Sequence, residues 1–274
     1  MAKIINAGSD LIDLRPTDHL WLKTAYADPQ FAYNYFAQVY HPNAKLWVQK
    51  QFADILYKAA EISWNRFGWK LVILDALRPT EAQGHMYAIC ERDFSHAAAR
   101  MNKIPSDLVA PSGRGAHPRG WAVDLAPVTE DGKLIDFGGH FDQFWRPFSL
   151  RAREFQSPFS TDAEILKRRD DLENLMQEVG RAHGQPLSCK ISDEWWDFRP
   201  VPDYYNQFAP LSNNDLPDYM RMLPSDDVPP RNYKDPVLFE AVSKDASGKV
   251  TYAPIAERFA QNRPPAEILL PVAS

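Results

Sequence analysis

Within residues 45–67 the apolar side chains fall at Leu46, Phe52, Ile55, Leu56, Ala59 and Ile62. Steps of three and four paint one stripe along a helix, and Gly68 stands where such a helix stops. Trp69-Lys70-Leu71-Val72-Ile73-Leu74 then predicts a buried strand, ended before Pro79, which cannot donate to a ladder. Thr80 and Gln83 have the spacing of a capping box and predict a second helix. Residues 110–120, rich in Gly, Pro and Arg, read as a loop, and Trp121-Ala122-Val123-Asp124-Leu125-Ala126 reads as a second strand. Residues 131–148 mix glycine, aromatics and charge without a period, which predicts loop. Thr161 and Glu164 open a third helix, with Leu166, Leu172, Leu175, Met176 and Val179 as its stripe and Gly180 as its stop. Residues 190–198 predict a third strand, dense in Trp and acid. After Arg199 prolines recur too often for long elements, and a last short helix is expected over 253–262.

Strands and helices in this order predict an α+β fold, a small central antiparallel sheet with flanking helices. Residues 206–274 are expected as a Pro-rich C-terminal extension packed on the core. The chain has 274 residues, 45% hydrophobic and 24% charged, enough to bury a substantial core. A net charge of −5 with scattered arginines argues against nucleic acid or an anionic membrane surface as partner. No apolar run approaches the ~18–20 residues a membrane helix needs, and the first residues carry no signal-peptide pattern. Cys90 and Cys189 make a poor disulfide framework. A soluble, cytoplasmic protein with reduced thiols is expected.

Three segments concentrate chemistry. In Ser112-Gly113-Arg114-Gly115-Ala116-His117-Pro118-Arg119-Gly120-Trp121-Ala122-Val123-Asp124, a turn at Gly120 brings the His117 imidazole back toward the Asp124 carboxylate. The two can then share one ion, and zinc accepts both ligand types. By itself the pattern fits a surface loop before a strand equally well. In Asp193-Glu194-Trp195-Trp196-Asp197-Phe198, carboxylates walled by indoles lose solvation, which raises a pKa toward the range of a general base. Glu194 and Asp197 cannot face one side of a regular strand, so the strand ends there or bulges. Arg78, at the end of the first strand, can present a fixed charge to an oxyanion, or simply pair with Asp75.

The order Asp-x-x-Arg-Pro, Ser-x-x-x-x-His-x-x-Gly-x-Ala-x-Asp and Glu-Trp-Trp resembles the D-alanyl-D-alanine dipeptidases, the VanX-type enzymes of the M15 metallopeptidases. Asp13-Leu14, Tyr26-Ala27, Asn34, Phe36 and Phe141-Asp142 fit the same pattern. The resemblance runs from Leu11 to Tyr205, so residues 1–205 are expected as the dipeptidase domain, with a hedgehog/M15-peptidase-like fold. It implies Zn²⁺ as cofactor with His117 and Asp124 as ligands, and Glu194 as general base toward a metal-activated water. It also implies Arg78 as oxyanion stabiliser, Asp142 at the substrate's amino terminus, and Trp195 in the substrate pocket.

The sequence departs from that family where Glu-Trp-Trp is normally followed by a histidine, the third metal ligand. Here Asp197 stands in its place. Asp197 as ligand gives a site with two carboxylates, less Lewis acidic and more tolerant of Mn²⁺ or Fe²⁺. His140 or His183 supplying the ligand, and loss of tight metal binding, are the competing readings. Gly115-Ala116 replace small hydroxyl residues, and Trp121 replaces a small residue, which suggests a narrowed or altered pocket. The expected function is hydrolysis of D-Ala-D-Ala or a related small dipeptide. The alternatives are a catalytically degenerate binding protein and a metalloenzyme of altered metal and substrate. The proline-rich tail is a candidate for homodimer contacts or a pocket cover.

Overall fold

The structure, a computed structural model, describes residues 2–29, 31, 34, 36, 38–93, 104, 106, 108–137, 141–142, 162–185, 187–188, 194–224, 243–244 and 250–251. Strands β1 (Leu11–Asp13), β2 (Leu20–Leu22), β3 (Trp47–Gln49), β4 (Lys70–Asp75), β5 (Val123–Val128), β6 (Leu187–Ser188) and β7 (Asp197–Pro200) alternate with helices α1 (Lys50–Phe67), α2 (Thr80–Asp93) and α3 (Asp162–Ala182). β2, β4, β5, β7 and β6 form a sheet in that order. Its pairings are antiparallel except the edge pair β2–β4, which is parallel. β1 and β3 make a separate antiparallel pair. The α+β class is as the sequence predicts.

Alternation along the central strands sorts their side chains onto two cores. Leu71, Ile73, Val123, Leu125 and Phe198 face Phe52, Ile55 and Leu56 of α1 and Leu172, Leu175 and Met176 of α3. Val72, Leu74, Ala126 and Val128 face the other way, onto Tyr26, Phe36, Tyr40, Phe141, Trp196, Met220 and Met222. Both faces are covered, which is why β4 and β5 read as near-continuous apolar runs. Asp124, between Val123 and Leu125, therefore projects onto the face away from the long helices.

α1 ends as predicted at Gly68, whose φ of 68° and N–H bond to the Trp64 carbonyl (2.9 Å) close it. Its expected first turn instead becomes β3, because residues 47–49 pair with β1. α2 begins at Thr80, but no capping box forms. The Gln83 amide points away to donate to the carbonyls of Ala110, Pro111 and Arg114. α3 runs past Gly180 to Ala182. Gly180 is needed for close approach rather than as a stop: a Cβ there would lie 2.5 Å from the Gln185 carbonyl oxygen and 2.7 Å from Leu187 Cγ. Gly180→Ala is expected to cost about 1–3 kcal/mol through overpacking, read as a lowered urea midpoint, whereas an unchanged midpoint would show that the β6 approach yields freely.

Residues 206–224 are woven into the body. Leu211, Leu216, Met220 and Met222 are buried, and the Leu211 N–H donates to Pro118 O (2.7 Å) while the Leu211 carbonyl accepts from Thr80 N–H (3.0 Å). Prolines here open short helical turns such as Pro202–Tyr205. The expected helix over 253–262 and the strand residues 190–193 lie outside the described residues. Cys90 is buried in the core, and Cys189 is outside them. Among the described residues no helix is long and apolar enough to cross a membrane.

Candidate functional site

Three aspartates line up across three neighbouring strands. Asp124 on β5 is the register partner of Asp75 on β4 and of Asp197 on β7. A register shift between Ile73 and Asp75 re-aims Asp75 into this row. The expected third strand begins only at Asp197; residues 194–196 form a turn in which Asp197 N–H meets the Glu194 carbonyl (3.3 Å). That turn frees Glu194 from strand alternation and removes the conflict between the two acids.

His117 is brought over the row by a clamped loop. Arg119 donates to the carbonyls of Gly113 (2.8 Å), Gly115 (2.7 Å) and Phe208 (2.8 Å). Gln83 holds the same loop from α2. Gly120, at φ 67°, closes the turn, and a Cβ there would strike Leu11 Cδ2 at 2.9 Å. His117 Nδ1 lies 2.7 Å from the Ala76 carbonyl; a carbonyl only accepts, so Nδ1 carries a proton. Nε2 points at Asp197 Oδ2 (3.4 Å) and Asp124 Oδ1 (3.6 Å). Asp75 lies on the Nδ1 side, at 3.6 Å.

Donor atoms of Asp75, His117 and Asp124 all lie within 4.8 Å of one another, a spacing able to hold a cation. The bonding of Asp75 argues for a different role. Its Oδ1 accepts from Tyr40 OH (2.9 Å), and its Oδ2 takes both Nε (2.9 Å) and Nη2 (2.7 Å) of Arg78. Arg78 Nη2 also reaches Asp124 Oδ2 (3.2 Å), leaving Oδ1 toward the imidazole. Arg78 is thus both the structural partner of Asp75 and a charge aimed into the site.

Burial and crowding shift the titrations. Desolvation, with repulsion from Asp197 and Asp124, raises Glu194 to about 8. Burial and Arg78 pull His117 down, but the carboxylates of Asp124 and Asp197 prevail and raise it to about 10. Asp142 is raised by burial and by Asp124; its carboxyl accepts from Tyr26 OH at 2.7 Å. Asp142 also holds a left-handed φ of 56°, backbone strain of the kind that collects at working sites.

Trp195 stacks on Phe137 at 4.6 Å and meets Trp196 edge-on at 5.8 Å, beside Glu194. Trp121, expected to narrow the pocket, turns instead into the helix-side core against Phe52, Tyr204 and Phe208. Trp121 lies before β5 begins and packs into the same core as Ala122, where the aromatic cluster holds it. His183 bonds the Val179 carbonyl at the end of α3 (2.9 Å), on the helix side, and His140 lies outside the described residues. Tyr40, Arg119 and Arg199 were given no role from the sequence, Tyr26 was named only for the resemblance and Gln83 only as a helix cap. Arg199 alone had a legible signal: two residues after Asp197 on a strand, it shares that face.

A family model described as D-ala-D-ala dipeptidase, Peptidase M15, matches residues 23–212, a span holding every residue of this site. The chain belongs to this peptidase family. Among curated relatives, the D-alanyl-D-alanine dipeptidase of Escherichia coli (strain K12) is 28% identical over 193 residues, 69% of this chain and 84% of that protein. Among solved structures, a mutant of the D,D-pentapeptidase VanY from a VanB-type vancomycin-resistance cassette, in complex with Zn(II), matches 58% of this chain and 75% of its own at 15% identity. Its TM-score of 0.32 is too low to carry the likeness further.

Proposed function

We propose that this M15 peptidase is a zinc-dependent dipeptidase that hydrolyses D-Ala-D-Ala or a closely related small dipeptide. The observation that carries the metal is the pair of carboxylate oxygens that His117 Nε2 faces. Ligand atoms ~2.0–2.2 Å from a tetrahedral ion lie roughly 3.3–3.6 Å apart, and Nε2 stands 3.4 Å from Asp197 Oδ2 and 3.6 Å from Asp124 Oδ1. His117, Asp124 and Asp197 are the ligands, with Nδ1 fixed by Ala76 so that Nε2 offers its lone pair. Asp75 stays outside the set, holding Arg78. A bound zinc ion polarises the scissile carbonyl and lowers the pKa of water.

The chain's own residues do the rest. Glu194 takes the proton of the attacking water on its carboxylate and passes it to the leaving amine. Arg78, held by Asp75 and backed by the Tyr26 ring 5.4 Å away, stabilises the oxyanion as charge develops. Asp142, oriented by Tyr26, takes the substrate's ammonium, which also supplies the positive charge that draws the Asp142 proton off.

The test is metal analysis of the purified protein with alanine release from D-Ala-D-Ala. Roughly one zinc per chain, hydrolysis abolished by a chelator and restored by Zn²⁺, is expected. Restoration by Mn²⁺ or Fe²⁺ but not Zn²⁺ would reassign the metal. A chain that takes up none of the three overturns the reading in favour of a binding protein on this fold.

A further inference from the structure

Arg199 closes on Asp197 with Nη2 3.0 Å from Oδ2 and Nε 2.9 Å from Oδ1. Both side chains are largely shielded, at 16% and 4% exposure. The guanidinium lies beside the histidine loop, where a Cβ on Gly115 would stand 3.7 Å from Nη1. Gly115 has φ +79°, a left-handed turn that glycine adopts without strain. Arginine keeps its charge at any working pH. The Asp197–Arg199 unit therefore carries no net charge, as a neutral imidazole would carry none. Arg78 is turned the other way, its Nε and Nη2 held by Asp75 and Asp124.

We propose that Arg199 is a positioning residue that makes Asp197 the electrical equivalent of the histidine it replaces, so that the site holds a divalent ion with one net carboxylate charge rather than two. The inference rests on Asp197 being a ligand, as read above. Arg199 orients the carboxylate and cancels its charge, while Oδ2 still faces His117 Nε2. The Lewis acidity lost to a second carboxylate is thereby largely restored.

The consequence is that putting the family's residue back should fail unless Arg199 goes too. Zinc dissociation constants of the full chain, measured by competition with a fluorescent chelator, test this. Asp197→His alone is expected to bind zinc at least about tenfold more weakly than wild type, because the uncancelled guanidinium then faces the ion. Asp197→His with Arg199→Gln should return to within about threefold of wild type, and Asp197→His with Arg199→Lys should not. Asp197→Asn with and without Arg199→Gln gives the same charge contrast should the histidine variants fail to fold. Equal zinc affinity with and without Arg199→Gln in both backgrounds overturns the proposal while leaving the metal site standing. A wild-type chain that binds no zinc overturns the metal reading and this one with it.

Discussion

Replacing Glu194 by glutamine is expected to lower kcat by about 10²–10⁴-fold while zinc content and KM stay near wild type. Glutamine keeps the size of the side chain and cannot take a proton from water. Glu194 is not among the residues whose donor atoms converge on His117 Nε2, so the metal should remain. The substitution should also spare the fold. The folded-state value is raised to about 8 from an ordinary 4.5, so below pH 4.5 both states hold the proton and nothing is lost. Between 4.5 and 8 only the folded state holds it, and wild-type stability falls as pH rises through that window. The metal-free glutamine variant has no such dependence and should melt at or above wild type at pH 7, with the gap widening toward pH 8. A variant with wild-type kcat would assign the base elsewhere. One that loses zinc together with activity would make Glu194 a ligand.

Arg78→Met is expected to have the largest effect on the fold and a large one on the reaction. Arg78 lies between two buried carboxylates, Asp75 at 0% and Asp124 at 4% side-chain exposure. Removing it strips Asp75 of its arginine and leaves Asp124 with His117 alone, a loss of about 3–5 kcal/mol when one partner of a buried pair is deleted. Against a total stability on the order of 5–15 kcal/mol, that is a large share, read as a fall in the urea midpoint of the metal-free protein. Zinc should recover part of it, because a divalent ion takes over the charge of Asp124 but not that of Asp75. Loss of the oxyanion donor should add about 10²–10³-fold in kcat. Arg78→Lys should recover stability better than rate, since an ammonium keeps the charge and not the fork that spans both aspartates. A metal-free Arg78→Met protein as stable as wild type would show that Asp75 and Asp124 do not depend on Arg78.

Much of the scaffold was legible in the residues. The 3.6 period from Phe52 to Ile62 and the apolar run 71–74 specify α1 and β4, because burying a stripe or a strand demands those patterns wherever it packs. Gly68 ended α1 for a local reason, a left-handed φ. Where the sequence misled, a distant partner had won. Residues 47–49 went to β3 because β1 was there to pair with; Gln83 left its cap for three loop carbonyls; Gly180 was required by Gln185 and Leu187 rather than by the helix end; Trp121 turned to Tyr204 and Phe208.

For the site, the sequence alone supplied the chemical types and the strand ends, His117, Asp124, Glu194, Asp197, Arg78 and Asp142, and with them the family. It could not supply adjacency. Asp75, Asp124 and Asp197 form one row only because the strand order β4–β5–β7 and the shift at Ile73/Asp75 bring residues separated by dozens of positions into register. Which nitrogen of His117 faces the carboxylates depends on a single backbone carbonyl, Ala76, and Asp197 meets Arg199 two residues along its own strand. Alternation and periodicity are properties of neighbours along the chain, whereas charge balance and ligand geometry belong to neighbours in space, and those the tertiary structure alone decides.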